Sequence, residues 1–132
     1  LAGLLRAGDC LALHGGLGVG KTTFVRFLIE AMSGITQVPS PTFTLVQTYD
    51  TATFSVQHYD LYRLKNAEEL DELGWDDALS DNVVIVEWPS RAEGRLPEDR
   101  LELAFTIMND GARQCAVTAH GEWATRMNEI NL

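Results

Sequence analysis

The stretch that decides the fold is "HGGLGVGKTTF", His14 to Phe24. Read from Gly15 it fits G-x-x-x-x-G-K-[ST]: Gly15, four residues, Gly20, Lys21 and Thr22. Glycine lets a backbone turn sharply and approach a phosphate with no Cβ in the way, which suits Gly15, Gly18 and Gly20. The backbone N–H groups of Gly15, Gly16, Leu17, Gly18, Val19 and Gly20 then face the anion, backed by the positive end of a following helix. In such a loop Lys21 reaches the β- and γ-phosphates of a nucleotide and the Thr22 hydroxyl ligates Mg2+. Thr23 reaches the α-phosphate through its hydroxyl or its N–H. The competing reading is a Gly-rich turn with a solvated lysine; a strand before it and a helix after it favour phosphate binding.

Both flanks are present. "CLALHG" is a short apolar run ending in glycine and predicts a strand. Residues 21–32 predict a helix with Phe24, Phe27, Leu28 and Ala31 on one apolar face, ended by Ser33-Gly34. Two prolines make "QVPSPTF" an extended loop. "TLVQTY" and "TFSVQHYDLYRL" read as strands of a hairpin turning at Asp50-Thr51-Ala52. "NAEELDELGWDDALS" reads as one or two short helices with Asn66 as N-cap. "NVVIVEW" has the continuous apolar pattern of a strand buried on both faces, and "PSRAEGRLPED" is a loop. Asn109-Asp110-Gly111 joins "RLELAFTIM" to "ARQCAVTAH" as a second hairpin, and "GEWATRMNEINL" closes the chain as a helix. The fold class is α/β, a P-loop NTPase-like mixed sheet with flanking helices. The P-loop strand and the "VVIVEW" strand are expected to be parallel and central, with the hairpin strands as antiparallel additions at the edges.

The chain has 132 residues, which suits a single domain over 1–132 and leaves little room for a second substrate domain. Its opening, "LAGLLRAGD", lacks Met and reads like the end of a helix, so a further N-terminal segment is expected upstream. Ten Lys and Arg against nineteen Asp and Glu give a net charge of −9. Lysine occurs only at Lys21 and Lys65, which argues against direct, independent binding of a nucleic acid. A bound nucleotide is a different matter, because a few local donors hold its phosphates. No apolar run approaches the roughly 20 residues a membrane helix needs. Cys10 and Cys115 stand far apart, without C-x-x-C or a His cluster, and read as reduced, mostly buried thiols in a cytoplasmic protein.

Further residues carry candidate chemistry. Glu87 ends the apolar strand, where P-loop proteins place a metal-linked acid that is usually Asp. One methylene longer, it is able to bind Mg2+ directly, hold a metal-bound water or orient an attacking water. Thr42, between Pro41 and Phe43, suits a switch-loop threonine that closes on Mg2+ and the γ-phosphate. Along an extended "QHYDLYR", His58, Asp60 and Tyr62 share one face and Tyr59, Leu61 and Arg63 the other. Asp60 is a candidate to orient or deprotonate water; His58 is a candidate partner for it but reads first as a satisfied structural histidine. Arg63 pairs with a phosphate or a carboxylate, and Trp88 walls the site or simply packs. Arg91, Arg95 and Arg100 form a lid over phosphates or are solvated loop residues.

In order along the chain, "GGLGVGKTTF", "SPTFTLVQTY", "HYDLYRL", "ELDELG", "VIVEWP" and "RLP" together resemble the TsaE (YjeE) family, from about Leu1 to about Arg113. The P-loop alone is common; "SPTF", "HxDLYR" and "EWP" at these spacings are specific. The resemblance implies a small ATPase that binds ATP or ADP with Mg2+ and hydrolyses ATP slowly. It implies partners as well: the threonylcarbamoyl-transferase subunit and its paralogous partner, which modify N6 of adenosine 37 in ANN-decoding tRNAs. The tRNA is then met only indirectly. The family's P-loop Lys and Thr fall on Lys21 and Thr22, its loop Thr on Thr42, its strand Asp on Asp60, and its Walker-B-like Glu and Trp on Glu87 and Trp88. This chain departs from it at Gly16, often Asp, Glu or Pro, and at Val19, often Ala. The segment that the family carries before "LAGLLRAGD", which contributes to its nucleotide pocket, is missing here.

Two other functions compete. A P-loop kinase for a small metabolite draws its only support from the arginine-bearing loop 91–100 and needs a second substrate pocket. A GTP-type switch draws support from Thr42, but no N-K-x-D guanine-reading motif occurs; Asn66-Ala67-Glu68-Glu69 is not one.

Overall fold

The protein is described by a computed structural model covering residues 5–16, 20–33, 45–51, 53–92 and 94–130. Its strands are β1 (Cys10–His14), β2 (Val46–Asp50), β3 (Ser55–Asp60), β4 (Val83–Glu87), β5 (Arg100–Ile107) and β6 (Arg113–His120). Its helices are α1 (Lys21–Ser33), α2 (Glu69–Glu72), α3 (Trp75–Asp81) and α4 (Glu122–Ile130), with a short 3-10 turn at Pro89–Ala92. The six strands form one sheet in the order β2-β3-β4-β1-β5-β6. β1 and β4 are parallel neighbours at its centre, as expected. The expectation for the hairpins needs correction. Their inner strands, β3 and β5, run parallel to β4 and β1, so only β2 and β6 are antiparallel. A tight turn dictates antiparallel pairing within a hairpin and nothing about how its inner strand meets the sheet.

Alternation along the strands divides the interior into two layers. Leu11, Leu13, Val56, Val83, Ile85, Leu101 and Leu103 face α1 and α4, packing on Val25, Leu28, Ile29 and Trp123. Cys10, Ala12, Tyr59, Val84 and Val86 face α2 and α3, packing on Leu70, Trp75 and Ala78. All five residues of β4 are buried, which explains its unbroken apolar run. On α1 the buried stripe is Val25, Leu28 and Ile29, with Phe24 and Met32 packed beside it. Phe27 is 65% exposed and Ala31 is exposed, so the predicted face is turned by about one residue.

Other expectations change as well. β3 stops at Asp60 because the Asp60 carboxylate accepts the Tyr62 N–H (3.1 Å) and the chain turns there. Tyr62 and Arg63 therefore do not continue the strand's two faces. Asn66 does not cap a helix with its side chain; its carbonyl accepts the Glu69 N–H, and α2 begins after Glu68 without a side-chain cap. Cys10 is buried as expected, but Cys115 is exposed on β6. Among the described residues before β1 there is no helix; Asp9 instead accepts the Arg6 N–H (2.8 Å) in a turn. The "QVPSPTF" loop lies outside the described residues.

Candidate functional site

Parallel strands carry their C-terminal ends to one edge of the sheet, and the loops leaving those ends make the crevice. β1 runs into the glycine loop there, and α1 starts at Lys21 on the far side of it. Gly20 has φ +104°, a left-handed conformation that favours glycine. Leu17, Gly18 and Val19 lie outside the described residues, as does Thr42. Lys21 is buried, donates to the Gly15 carbonyl (2.7 Å) and sits 3.9 Å from the centroid of the Trp88 ring. Burial pushes its ammonium below the ordinary lysine value, against the opposing pull of the Glu87 and Asp60 carboxylates.

The carboxylates come from β4, which pairs with β1, and from β3 on its far side. Val56, Val83 and Ile85 face α1, so alternation turns His58, Asp60 and Glu87 to that side too. Asp60 and Glu87 are direct partners across the β3–β4 ladder and both are buried. The Thr22 hydroxyl lies 3.4 Å from Glu87 Oε1. His58 Nε2 lies 2.7 Å from Glu87 Oε2, with His58 1% exposed. Both oxygens of Glu87 are thus engaged, one toward the P-loop helix and one by a histidine 29 positions earlier in the chain. That second contact is not specified by the sequence, where His58 reads first as a satisfied structural histidine and second as a partner for Asp60. Trp88 follows at φ +60°, an unusual backbone state for a non-glycine residue. It closes the crevice wall, with its ring 4.9 Å from that of Tyr62.

Hard oxygen ligands fit Mg2+, and neighbouring ligands of an octahedral Mg2+ stand about 3 Å apart. The Thr22–Glu87 separation suits that pair. Among the described residues no cluster of three or more His, Cys, Asp or Glu is arranged to hold a metal.

Two of the three loop arginines are held in structural contacts and not over the phosphate loop. Arg95 ties α2 to α3, bonding Asp71 (2.7 Å), Asp76 (3.2 Å) and the Ala67 carbonyl (3.1 Å). Arg100 pairs with Glu102 (3.1 Å) and donates to the Pro97 carbonyl (3.1 Å). Arg91 is exposed on the 3-10 turn. No helix among the described residues is long and apolar enough to cross a membrane.

A strand, a glycine loop and a helix opening on Lys-Thr, with a carboxylate ending the adjacent parallel strand, define a P-loop-type α/β protein. A family model described as "Threonylcarbamoyl adenosine biosynthesis protein TsaE" matches residues 1–115. A tRNA threonylcarbamoyladenosine biosynthesis protein TsaE from Rickettsia felis is 41% identical over 118 residues, covering 89% of this chain and 69% of that one. The protein of the same description from Streptomyces coelicolor is 41% identical over 133 aligned positions, covering 95% and 90%. The crystal structure of YdiB from Bacillus subtilis superposes with a TM-score of 0.79 at 31% identity, covering 98% of this chain and 81% of that one. The chain belongs to the TsaE family.

Proposed function

We propose that this protein is a Mg2+-dependent, slow ATPase that serves tRNA threonylcarbamoyladenosine synthesis. Its partners are the threonylcarbamoyl-transferase subunit and that subunit's paralogue, which modify N6 of adenosine 37 in ANN-decoding tRNAs. The observation that carries the proposal is the approach of Thr22, at the head of α1, to Glu87, at the end of β4, with Asp60 beside it in register.

In this reading the P-loop N–H groups and Lys21 hold the phosphates, and Thr22 and Glu87 hold Mg2+, which would draw charge from the β- and γ-phosphate oxygens. Glu87 is fixed at both oxygens, which suits a ligand better than a base that must move with its proton. Asp60, on the next strand, is the group assigned to orient the attacking water. Thr42 is assigned to the γ-phosphate side and Trp88 to the wall over Lys21. With a net charge of −9, the chain leaves the tRNA to its partners. The kinase alternative is weakened, because Arg95 and Arg100 are spent on structural contacts and of the three only Arg91 is left exposed on the loop.

The test is ATP turnover by the full-length protein with its partner pair. Lys21→Ala and Asp60→Ala should each abolish it while the fold survives. Normal turnover by Asp60→Ala would remove Asp60 from the chemistry. A phosphorylated metabolite in place of free phosphate would favour a kinase. Tighter binding of GTP than ATP in calorimetry would refute the ATPase proposal.

A further inference from the structure

A second cluster of titratable side chains lies on the sheet face turned away from α1. Alternation along β1 sets His14 on the α2–α3 face with Cys10 and Ala12. Arg100 and Glu102 take that face on β5, because Leu101 and Leu103 take the other. His120, opposite Arg100 on β6, joins them. The Glu102 carboxylate gathers all three. Its Oε1 accepts from His14 Nε2 (2.5 Å), and its Oε2 from His120 Nε2 (2.5 Å) and Arg100 Nη2 (3.1 Å). The imidazoles are 38% and 34% exposed, so protons reach both from solvent.

The cluster runs from the P-loop edge down into the sheet. His14 is the last residue of β1, and the phosphate loop begins at the next one, Gly15, whose carbonyl accepts from Lys21. Glu102 pairs with Ala12, two residues below His14, and His120 stands lower still, level with Arg100. Of the two histidines, His14 is therefore the one beside the phosphates.

Arg100 already balances Glu102. Burial raises the Glu102 carboxyl, but His14, Arg100 and His120 hold it below the usual carboxylate value, so it stays ionised around neutrality. Cys10, on the same face of β1, is a neutral thiol pushed up to about 12, chiefly by desolvation. Asp9, just before β1, is engaged by Arg126 (2.7 Å), and Glu87 on β4 turns to the opposite face. Asp99, at the turn into α4, accepts the Glu122 N–H (2.8 Å), and Arg91 lies on the 3-10 turn that packs against β1. Histidine is the side chain whose charge ordinarily changes between about pH 5 and 8. A proton taken up by His14 thus adds a positive charge that no other carboxylate of the cluster offsets.

We propose that His14 is a proton-sensing positioning residue for the phosphate loop. Neutral, it ties the root of the loop to Glu102 by a hydrogen bond. Protonated, it keeps that tie as an ion pair and sets an extra positive charge beside the nucleotide phosphates. The inference rests on the ATP-binding reading above. Nucleotide affinity rises as pH falls through the histidine range, and by linkage the bound nucleotide raises the pH at which His14 takes its proton. His120, farther from the loop, contributes less.

The test is calorimetry of ATP binding to the full-length protein with Mg2+, at about pH 5.5 and about pH 8. Titration of ATP itself is common to parent and variants and cancels between them. His14→Gln keeps an N–H donor for Glu102 without the charge. The gain in affinity from pH 8 to pH 5.5 should be about fivefold larger in the parent than in His14→Gln, whereas His120→Gln should keep most of it. In NMR titrations of the parent, ATP should raise the His14 midpoint by about 0.7 pH unit, the reciprocal of that fivefold, and the His120 midpoint by less. The parent's full pH response in His14→Gln, or a His14 midpoint unmoved by bound ATP, overturns the sensing role and leaves ATP binding standing. Absence of ATP binding at both pH values overturns both.

Discussion

Replacing His58 by Leu tests whether the histidine holds Glu87 in place. The two side chains are 1% and 3% exposed, and their contact is 2.7 Å. Without the imidazole, the Thr22 hydroxyl at 3.4 Å, near the outer limit of a hydrogen bond, is the one hydrogen-bond partner left to Glu87 among the described residues, with the Lys21 ammonium nearby. A hydrogen bond to a charged group contributes about 1.5–3 kcal/mol. Stranding a buried charge costs about 3–5 kcal/mol where water cannot reach it. Glu87 ends its strand at the crevice, where water relieves part of that cost, so the expected loss is about 2–3 kcal/mol. With a urea dependence of ~1–3 kcal/mol per molar, the midpoint should fall by about 1 M or more. His58→Gln keeps an N–H donor at similar reach and should recover at least half of the loss. In a double-mutant cycle with Glu87→Leu, most of the cost of losing His58 should vanish. The Mg2+ needed for half-maximal turnover should rise in His58→Leu and return toward the parent value in His58→Gln. A His58→Leu midpoint within about 0.2 M of the parent, or full additivity in the cycle, would refute the positioning role.

Ile29→Ala should destabilise the protein by about 2–5 kcal/mol, because Ile29 is fully buried under the sheet. Phe27→Ala should stay within about 0.5 kcal/mol, and the reverse ranking in urea would restore the other helix face. Burial raises the Glu102 carboxyl, but His14, Arg100 and His120 outweigh it and hold it below the usual carboxylate value. Its contribution is therefore present above the unfolded-state value and is lost as pH falls through the depressed folded value. Glu102→Gln should lower the urea midpoint at pH 7 and converge on the parent in acid; a constant gap at every pH would exclude this linkage. Gly121 has φ +61°, and an added Cβ would lie against the Asp99 carboxylate that accepts the Glu122 N–H (2.8 Å). Gly121→Ala should thus cost about 1–3 kcal/mol, read as a lower thermal midpoint; an unchanged midpoint would mean that Asp99 does not secure the start of α4.

What was legible in the sequence was what depends on neighbours in the chain. The strand–loop–helix around Lys21, the unbroken apolar run of β4 and the Asn109-Asp110-Gly111 turn are local patterns, and each stands where it was expected. The α1 face is ambiguous in the sequence because two adjacent stripes both fit a helical period. Phe24-Phe27-Leu28-Ala31 and Val25-Leu28-Ile29-Met32 share Leu28, and only the position of the sheet chooses between them. The end of β3 is not legible in the sequence because the Asp60 side chain competes with the strand for the next backbone donors, while the apolar pattern continues through Leu61 and Leu64. The exposure of Cys115 is not legible in the sequence because β6 is an edge strand whose first six residues are exposed on both faces, so its pattern carries no burial signal. The site divides along the same line. Lys21, Thr22 and Glu87 announce themselves by motif and strand end. The partnership of His58 with Glu87 exists only because β3 lies parallel to β4 in the register that sets His58 opposite Ile85 and Asp60 opposite Glu87. A shift of one residue would turn both His58 and Asp60 to the α2–α3 face and bring Tyr59 under α1. No local motif encodes that register. It follows from which face takes which side chain, with Val56 under α1 and Tyr59 against Trp75 with its hydroxyl on the Leu73 carbonyl, so the packing of β3 is what delivers the carboxylate and the histidine to the P-loop.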